Sequence, residues 1–108
     1  MTAIELVKGQ LKAYNEHDLP AFVSYFSNTV EVFDGRTQEC LFRGMDAFRE
    51  RYEHTLSNPD LHCTLLNRIE QDSIIIDHEE VSGMGEDLVF AIAIYQIENN
   101  KIQKVTFY

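Results

Sequence analysis

Basic residues are scarce in this chain of 108 residues, and tryptophan is absent. Nine Lys and Arg residues stand against 18 Asp and Glu residues, which gives a formal net charge of −9. A surface this acidic repels phosphate backbones and anionic lipid headgroups, so we expect neither a nucleic-acid partner nor a membrane partner. No stretch approaches the roughly 18 consecutive apolar residues that a membrane-spanning helix needs.

Cysteine is equally rare, with only Cys40 and Cys63, and the two do not form a CxxC motif. Isolated cysteines of this kind are typical of reduced thiols in a cytoplasmic protein. The first residues contain no basic region followed by an apolar run, as a signal peptide would. We therefore expect a cytoplasmic protein without a disulfide.

Histidine does not occur at metal-binding spacings. The four histidines show neither an HxH nor an HExxH pattern, and these are the spacings that place two imidazoles on one metal ion. The sequence therefore predicts no metal site.

What the chain does contain is enough apolar residues, 44% of the total, for the core of a single domain over residues 1–108. Thr2 begins a capping-box pattern before a predicted helix over about residues 3–15. Asp18 is a good N-cap for a second helix, whose apolar stripe runs to Phe26. Asp46 is the expected N-cap of a third helix.

From residue 61 onward the apolar pattern changes to the alternation of β-strands. Four runs rich in β-branched and aromatic residues follow one another, namely "LHCTLLNRIE", "SIIIDHEEV", "DLVFAIAIYQIE" and "KIQKVTF". Asn99-Asn100 suits a two-residue hairpin with positive φ. Shorter strands are predicted at "VEVFD" and around "ECLFRG". Helices followed by an antiparallel meander indicate an α+β domain.

The run 87–98 is apolar on both faces. One face would carry Phe90, Ile92 and Ile94, and the other would carry Val89, Ala91, Ala93 and Tyr95. A strand of this kind is normally covered on both sides. Since the helices can cover only one face, the pattern predicts a homodimer that covers the other.

The run 74–83, "IIIDHEEVSG", mixes apolar and charged residues on both faces. His78 and Glu80 share a face and lie about 6.5 to 7 Å apart between Cα atoms, close enough for a carboxylate to orient a histidine base. The alternative is a solvated or cross-strand-paired patch, with Arg68 or Lys101 as partner. Asp77 and Glu79, on the opposite face, are expected at a dimer edge or in solvent.

The order of these elements resembles the nuclear-transport-factor-like superfamily, and within it the SnoaL-like and ketosteroid-isomerase-like domains. The resemblance rests on "AYNEHDLPAFVSYFS", "LFRGMDAFRERY", "RIEQDSIIIDHEEVSG" and "AIYQIENNKIQKVTF". It implies a cone-shaped, curved antiparallel sheet that wraps around helices and encloses an apolar pocket, usually without a metal and often in homodimers. It does not imply one reaction, because the scaffold serves enzymes and binders alike.

The resemblance also implies site residues. The general base of the isomerases ends the first short strand, where this chain has Asp34; an Asp before Gly35 is equally typical of a turn. Gln10 stands where the isomerases have an oxyanion-hole tyrosine, with Tyr14 one turn later, and Ala93 stands where they have a protonated aspartate. Loss of these donors argues against ketosteroid isomerase activity itself.

Other candidates for the pocket are mostly aromatic. Substrate-binding positions are predicted at Tyr14, Phe26, Tyr52, His62 and Tyr95, although aromatic residues at helix or strand spacing are often simply core. His62 is adjacent to Cys63, but neighbouring strand residues point to opposite faces, which disfavours a Cys-His nucleophile pair.

The sequence thus favours a pocket for a small hydrophobic or carbonyl-bearing molecule. As an enzyme the protein would perform cofactor-free acid/base chemistry of an isomerase, cyclase or hydratase type, with Asp34 or His78 as the base. The alternative is a non-catalytic ligand-binding or protein-interaction module of the same fold. An enzyme would hold a titratable group with a strongly shifted pKa near a second polar group inside the pocket.

Overall fold

A computed structural model describes all residues 1–108, in three helices and six strands. The helices are α1 (Ala3–Asn15), α2 (Leu19–Val23) and α3 (Met45–Leu56). The strands are β1 (Phe26–Asp34), β2 (Cys40–Arg43), β3 (His62–Gln71), β4 (Ile74–Ser82), β5 (Val89–Glu98) and β6 (Lys101–Phe107). The predicted α+β domain is confirmed.

The six strands form one curved, unclosed sheet in the order β2-β1-β6-β5-β4-β3. All neighbouring strands are antiparallel except β1 and β6, which run parallel because the chain crosses the sheet through α3 and the meander between them. Helix α1 packs on β3, β4 and β6, while α3 packs on β1 and β2. The helices therefore cover one face of the sheet and leave the other face bare. None of the three combines the length and the apolar character needed to cross a membrane.

The predicted N-cap residues begin the helix in two of three cases. Thr2 accepts a hydrogen bond from the Glu5 amide and the Glu5 carboxylate accepts one from the Thr2 amide, which completes the capping box of α1. Asp18 caps α2 by accepting a hydrogen bond from the Ala21 amide. The predicted cap of α3 is wrong, since Gly44 occupies that position with φ +87° and Asp46 lies in the first turn.

The second helix is shorter than predicted. It ends at Val23, and Phe26 already belongs to β1. Phe26 is buried in the strand, and it packs with its ring centroid 4.9 Å from that of Phe22 and 4.5 Å from that of Phe48. Phe26 follows Phe22 by four residues, so its apolar side chain fits the spacing of a helix although it belongs to a strand.

An irregularity in β3 changes the faces that simple alternation predicts. The β3–β4 register shifts between Leu65 and Asn67, so that Arg68 pairs directly with Asp77. Alternation from His62 would have put Arg68 on the same face as His62, but the extra residue of a bulge reverses the direction of every later side chain. By contrast, the predicted Asn99-Asn100 hairpin is present, with φ of 49° and 64°.

Candidate functional site

An apolar cavity lies between the helices and the concave face of the sheet. It measures about 200 Å³ and is lined by 19 residues, of which 15 are hydrophobic. The four others are Gln10, Arg51, Thr55 and Glu79. Because Glu79 is the only acidic side chain in this lining, it dominates the electrostatics of the interior.

Strand β4 places Glu79 there by simple alternation. Ile75, Asp77 and Glu79 are buried, with exposed fractions of 0%, 0% and 6%, and all three point toward the helices. In the neighbouring strand, Ala91 pairs with Glu79 and Ala93 pairs with Asp77. The small side chain of Ala91 also lines the cavity, and it leaves space beside Glu79.

Burial raises the pKa of the Glu79 carboxyl to about 7, from an ordinary value of 4.5. The cause is loss of hydration, which disfavours the charged form. The negative charge of Asp77 raises the pKa further, while the Cys63 thiol and the Arg68 guanidinium oppose the increase. A carboxyl with this pKa can both accept and release a proton at neutral pH.

Asp77 is held differently from Glu79, although both are buried. The Arg68 Nε donates to Asp77 Oδ1 at 2.7 Å and its second guanidinium nitrogen donates to Oδ2 at 2.9 Å. This two-point geometry is the strong form of the carboxylate–guanidinium pair. Hydrogen bonding to Asp77 raises the pKa of Arg68, so the guanidinium stays charged. Both oxygens of the Asp77 carboxylate are therefore bound by a cation.

Hydroxyl and thiol groups line the same cavity as the Glu79 carboxyl. Burial raises the pKa of Tyr14, Tyr52, Tyr95 and Cys63, and the charge of Glu79 raises each of them further. These groups therefore stay protonated and remain hydrogen-bond donors. Gln10 Nε2 donates to the Tyr95 hydroxyl at 3.2 Å, so the position at which the resemblance implied an oxyanion-hole tyrosine instead orients another tyrosine.

Four of the five predicted substrate-binding residues line the cavity: Tyr14, Phe26, Tyr52 and Tyr95. The fifth, His62, is exposed at the start of β3, and Cys63 lines the cavity in its place. Tyr14 and Tyr52 also pack against Phe22, with centroid separations of 5.9 and 4.8 Å. The tyrosines thus belong to the aromatic core and to the cavity wall at the same time.

The two predicted bases, Asp34 and His78, do not line the cavity. The Asp34 carboxylate accepts hydrogen bonds from the Arg36 and Thr37 amides at 2.8 and 3.3 Å, as a turn residue does. His78 is exposed on the convex face and is paired across the sheet with Asn67 and Ile92. The structure therefore does not bring Asp34, His62 and His78 together.

The expected position of Asp77 and Glu79, at a dimer edge or in solvent, is wrong, because both are buried on the concave face. Arg68 forms its ion pair with Asp77 and not with the patch of His78 and Glu80. One signal in the sequence could have identified Glu79. Its face of the strand begins with Ile75 and ends with Val81, both apolar, whereas the face of His78 and Glu80 ends with the polar Ser82.

No group of three or more His, Cys, Asp or Glu side chains is arranged to hold a metal ion. On β4, the Asp77 carboxylate binds the Arg68 guanidinium, whereas the Glu79 carboxyl faces the apolar cavity. The site therefore contains one acidic side chain, Glu79, in a cavity that is also lined by Tyr14, Tyr52, Tyr95 and Cys63.

Comparison with known proteins identifies the family of the chain and several similar structures. Residues 7–105 match the SnoaL-like domain, and no curated protein matches the chain significantly. An NTF2-like protein of unknown function from Cytophaga hutchinsonii superposes with a TM-score of 0.85 at 15% identity, covering 100% of this chain and 89% of that one.

Two further structures carry more specific names. A candidate polyketide cyclase from Pseudomonas putida KT2440 is 26% identical, with a TM-score of 0.77, and the match covers 100% of this chain and 91% of that one. A candidate ketosteroid isomerase from Kribbella flavida is 13% identical, with a TM-score of 0.79 and coverage of 97% and 75%. The matched domain spans nearly the whole chain, and the chain therefore belongs to the SnoaL-like domain family.

Proposed function

We propose that the cavity binds a small hydrophobic molecule bearing a carbonyl group and moves a proton on it without a cofactor. The observation that carries the proposal is the Glu79 carboxyl, with a pKa of about 7, in an otherwise apolar interior. It meets the criterion of a titratable group with a shifted pKa beside further polar groups. Asp34, His62 and His78 have no part in this reaction, since none of them lines the cavity.

The proposed step is transfer of a proton from the carbon next to the carbonyl. The Glu79 carboxylate takes the proton, the electron pair of the C–H bond moves to form the enolate, and the proton returns to carbon from the Glu79 carboxylic acid. Protonated hydroxyls of Tyr14 and Tyr52 supply donors for the enolate oxygen, which is the largest energetic requirement of such a step. An enolate formed in this way is the common intermediate of isomerisations and aldol-type cyclisations.

The comparisons support this class of chemistry. Two of the similar structures are described as a candidate polyketide cyclase and a candidate ketosteroid isomerase. Both names refer to carbonyl substrates with acidic C–H bonds. The donor set implied for the isomerases is replaced by Gln10 and Ala93, so the proposal is enolate chemistry on a different substrate.

Deuterium exchange tests the proposal without knowledge of the natural substrate. The protein is incubated in D₂O with 2-tetralone, a bicyclic ketone with acidic C–H bonds, and incorporation is followed by proton NMR. We expect exchange above the buffer rate, rising with pH to a plateau above about pH 7, because the ionised form of Glu79 is the base.

Glu79→Gln should remove this exchange, and Glu80→Gln is the matched control because Glu80 points to the convex face. If exchange persists in Glu79→Gln, Glu79 is not the base. If 2-tetralone binds to the wild type without any exchange, the alternative holds, namely a ligand-binding module of the same fold. That alternative is favoured by the 15 hydrophobic residues among the 19 that line the cavity.

We further propose that the protein is a homodimer through the convex face of the sheet. Ile69, Phe90 and Ile92 lie on this face with exposed fractions of 61%, 58% and 40%. Ile76 and Ile94 pair across the strands between them and extend the same apolar surface. A second copy presents the same apolar strands, and such a self-complementary surface is what a two-fold interface requires.

A further inference from the structure

A second, open cavity adjoins the first along α3. It has a volume of about 530 Å³ and is lined by Arg51, His54, Thr55, Asn58, Leu61 and Met84. We call it the outer groove. Arg51, Thr55 and Met84 line both spaces, so the outer groove adjoins the apolar cavity along these three side chains.

The two spaces differ in charge. The outer groove contains Arg51 and His54 and no acidic residue, although the chain carries twice as many acidic as basic residues. Positions 51, 54 and 55 are three and four residues apart on α3, a spacing that places their side chains on one face of a helix. The apolar cavity, by contrast, contains the buried Glu79 carboxyl.

Arg51 stands at the boundary between the two spaces. Its guanidinium carbon lies 5.8 Å from the centre of the Phe42 ring, within the range of a cation–π contact, and Phe42 itself lines the cavity. Burial raises the pKa of Tyr52, the charge of Glu79 raises it further and that of Arg51 lowers it, so both charges act on this hydroxyl. The positive charge of Arg51, where the two spaces adjoin, and the negative charge of Glu79, inside the apolar cavity, therefore both act on a ligand that extends from one space into the other.

We infer that the ligand of the cavity is an amphiphilic anion, with a carbonyl-bearing apolar body in the cavity and a carboxylate held by Arg51 in the outer groove. The inference rests on the proposed function of the cavity. A ligand carboxylate beside Glu79 would be repelled by its negative charge. In the outer groove the same carboxylate can contact the planar guanidinium of Arg51, which suits two-point binding. Arg51 would thus set the orientation of the ligand and place its carbonyl end near Glu79.

A matched pair of ligands tests the inference. 2-Acetylnaphthalene and 6-acetyl-2-naphthoic acid share a carbonyl and a naphthalene body and differ only in the carboxylate. Isothermal titration calorimetry at pH 8 should give about tenfold tighter binding of the acid to the wild type. Arg51→Gln should reduce this ratio to near one. Arg49→Gln, an exposed residue of α3 outside both spaces, should keep the tenfold ratio.

Each outcome decides between the two proposals. Equal affinity of the wild type for both compounds, or a ratio that Arg51→Gln leaves unchanged, overturns the role of Arg51 and leaves the cavity proposal standing. If neither compound binds, the cavity proposal itself fails, and this inference fails with it. Salt provides a second readout, since 0.5 M NaCl should lower the affinity for the acid and spare that for the neutral ketone.

Discussion

At the scale of single residues, the molecule is unusual in burying two acids two positions apart on one strand. Asp77 is neutralised by a bidentate Arg68, whereas Glu79 faces an apolar cavity. The same local sequence thus produces one carboxylate bound by a guanidinium and one carboxyl in an apolar cavity, whose pKa burial raises. What separates them is the partner across the strand, because Arg68 pairs with Asp77 and Leu65 with Glu79.

The raised pKa of Glu79 makes the stability of the protein depend on pH. A carboxyl whose pKa is higher in the folded than in the unfolded chain stabilises the fold below the unfolded value, and this stabilisation is lost as pH rises through the folded value. The relevant window runs from 4.5 to about 7. Glu79→Gln removes the ionisation, so the variant should exceed the wild type in free energy of unfolding at pH 8, by about 3 kcal/mol.

Urea denaturation at pH 4 and pH 8 measures this difference. At pH 4 the two proteins should be equally stable, because both side chains are neutral there. Glu80→Gln should show no comparable gain at pH 8, since Glu80 lies on the convex face. Equal stability of Glu79→Gln and the wild type at pH 8 would mean that Glu79 ionises without cost.

At the scale of elements, one buried ion pair links β3 with β4. The side chains of Arg68 and Asp77 are exposed by 12% and 0%. Asp77→Asn leaves the guanidinium without its counter-charge, so we expect a loss of about 3 to 5 kcal/mol in the free energy of unfolding. Denaturation in urea measures the loss directly.

The sheet provides its own control for this prediction. Glu31 and Arg43 also pair across two strands, at 2.7 Å, but their side chains are exposed by 30% and 65%. Glu31→Gln should cost below about 1 kcal/mol, since exposed ion pairs contribute little. Similar losses in Asp77→Asn and Glu31→Gln would show that burial of the first pair has no energetic consequence.

The same elements show how far the sequence alone can predict the site. Periodicity placed Tyr14, Tyr52 and Tyr95 correctly in their helices and strand, because each pattern repeats over several turns or alternations. It could not place Arg68, since a single extra residue at the bulge near Leu66 reverses the faces of β3. The exposure of His78 and the burial of Glu79 depend on which face the helices cover, and that is a property of the assembled fold.

At the scale of the whole molecule, the helices cover the concave face only, and the convex face carries exposed apolar side chains. Sedimentation velocity at micromolar concentration should therefore give a dimer. Ile92→Lys, at the centre of the face, should shift the distribution to monomer, because a buried charge at an apolar interface is strongly unfavourable. Met84→Lys, an exposed apolar residue in the β4–β5 loop, is the control and should leave the dimer intact. A monomeric wild type contradicts the proposed interface.

The proposed proton transfer requires one carboxyl in the cavity, that of Glu79, and the titration of this group can be observed directly. In protein labelled with carbon-13 at the glutamate carboxyl, the Glu79 resonance is assigned as the signal that Glu79→Gln removes. We expect its chemical shift to change with a midpoint near pH 7, because burial disfavours the charged form. A midpoint near 4.5 would contradict the proposed role of Glu79, since this residue would then be an ordinary, hydrated carboxylate with no special capacity to move a proton at neutral pH.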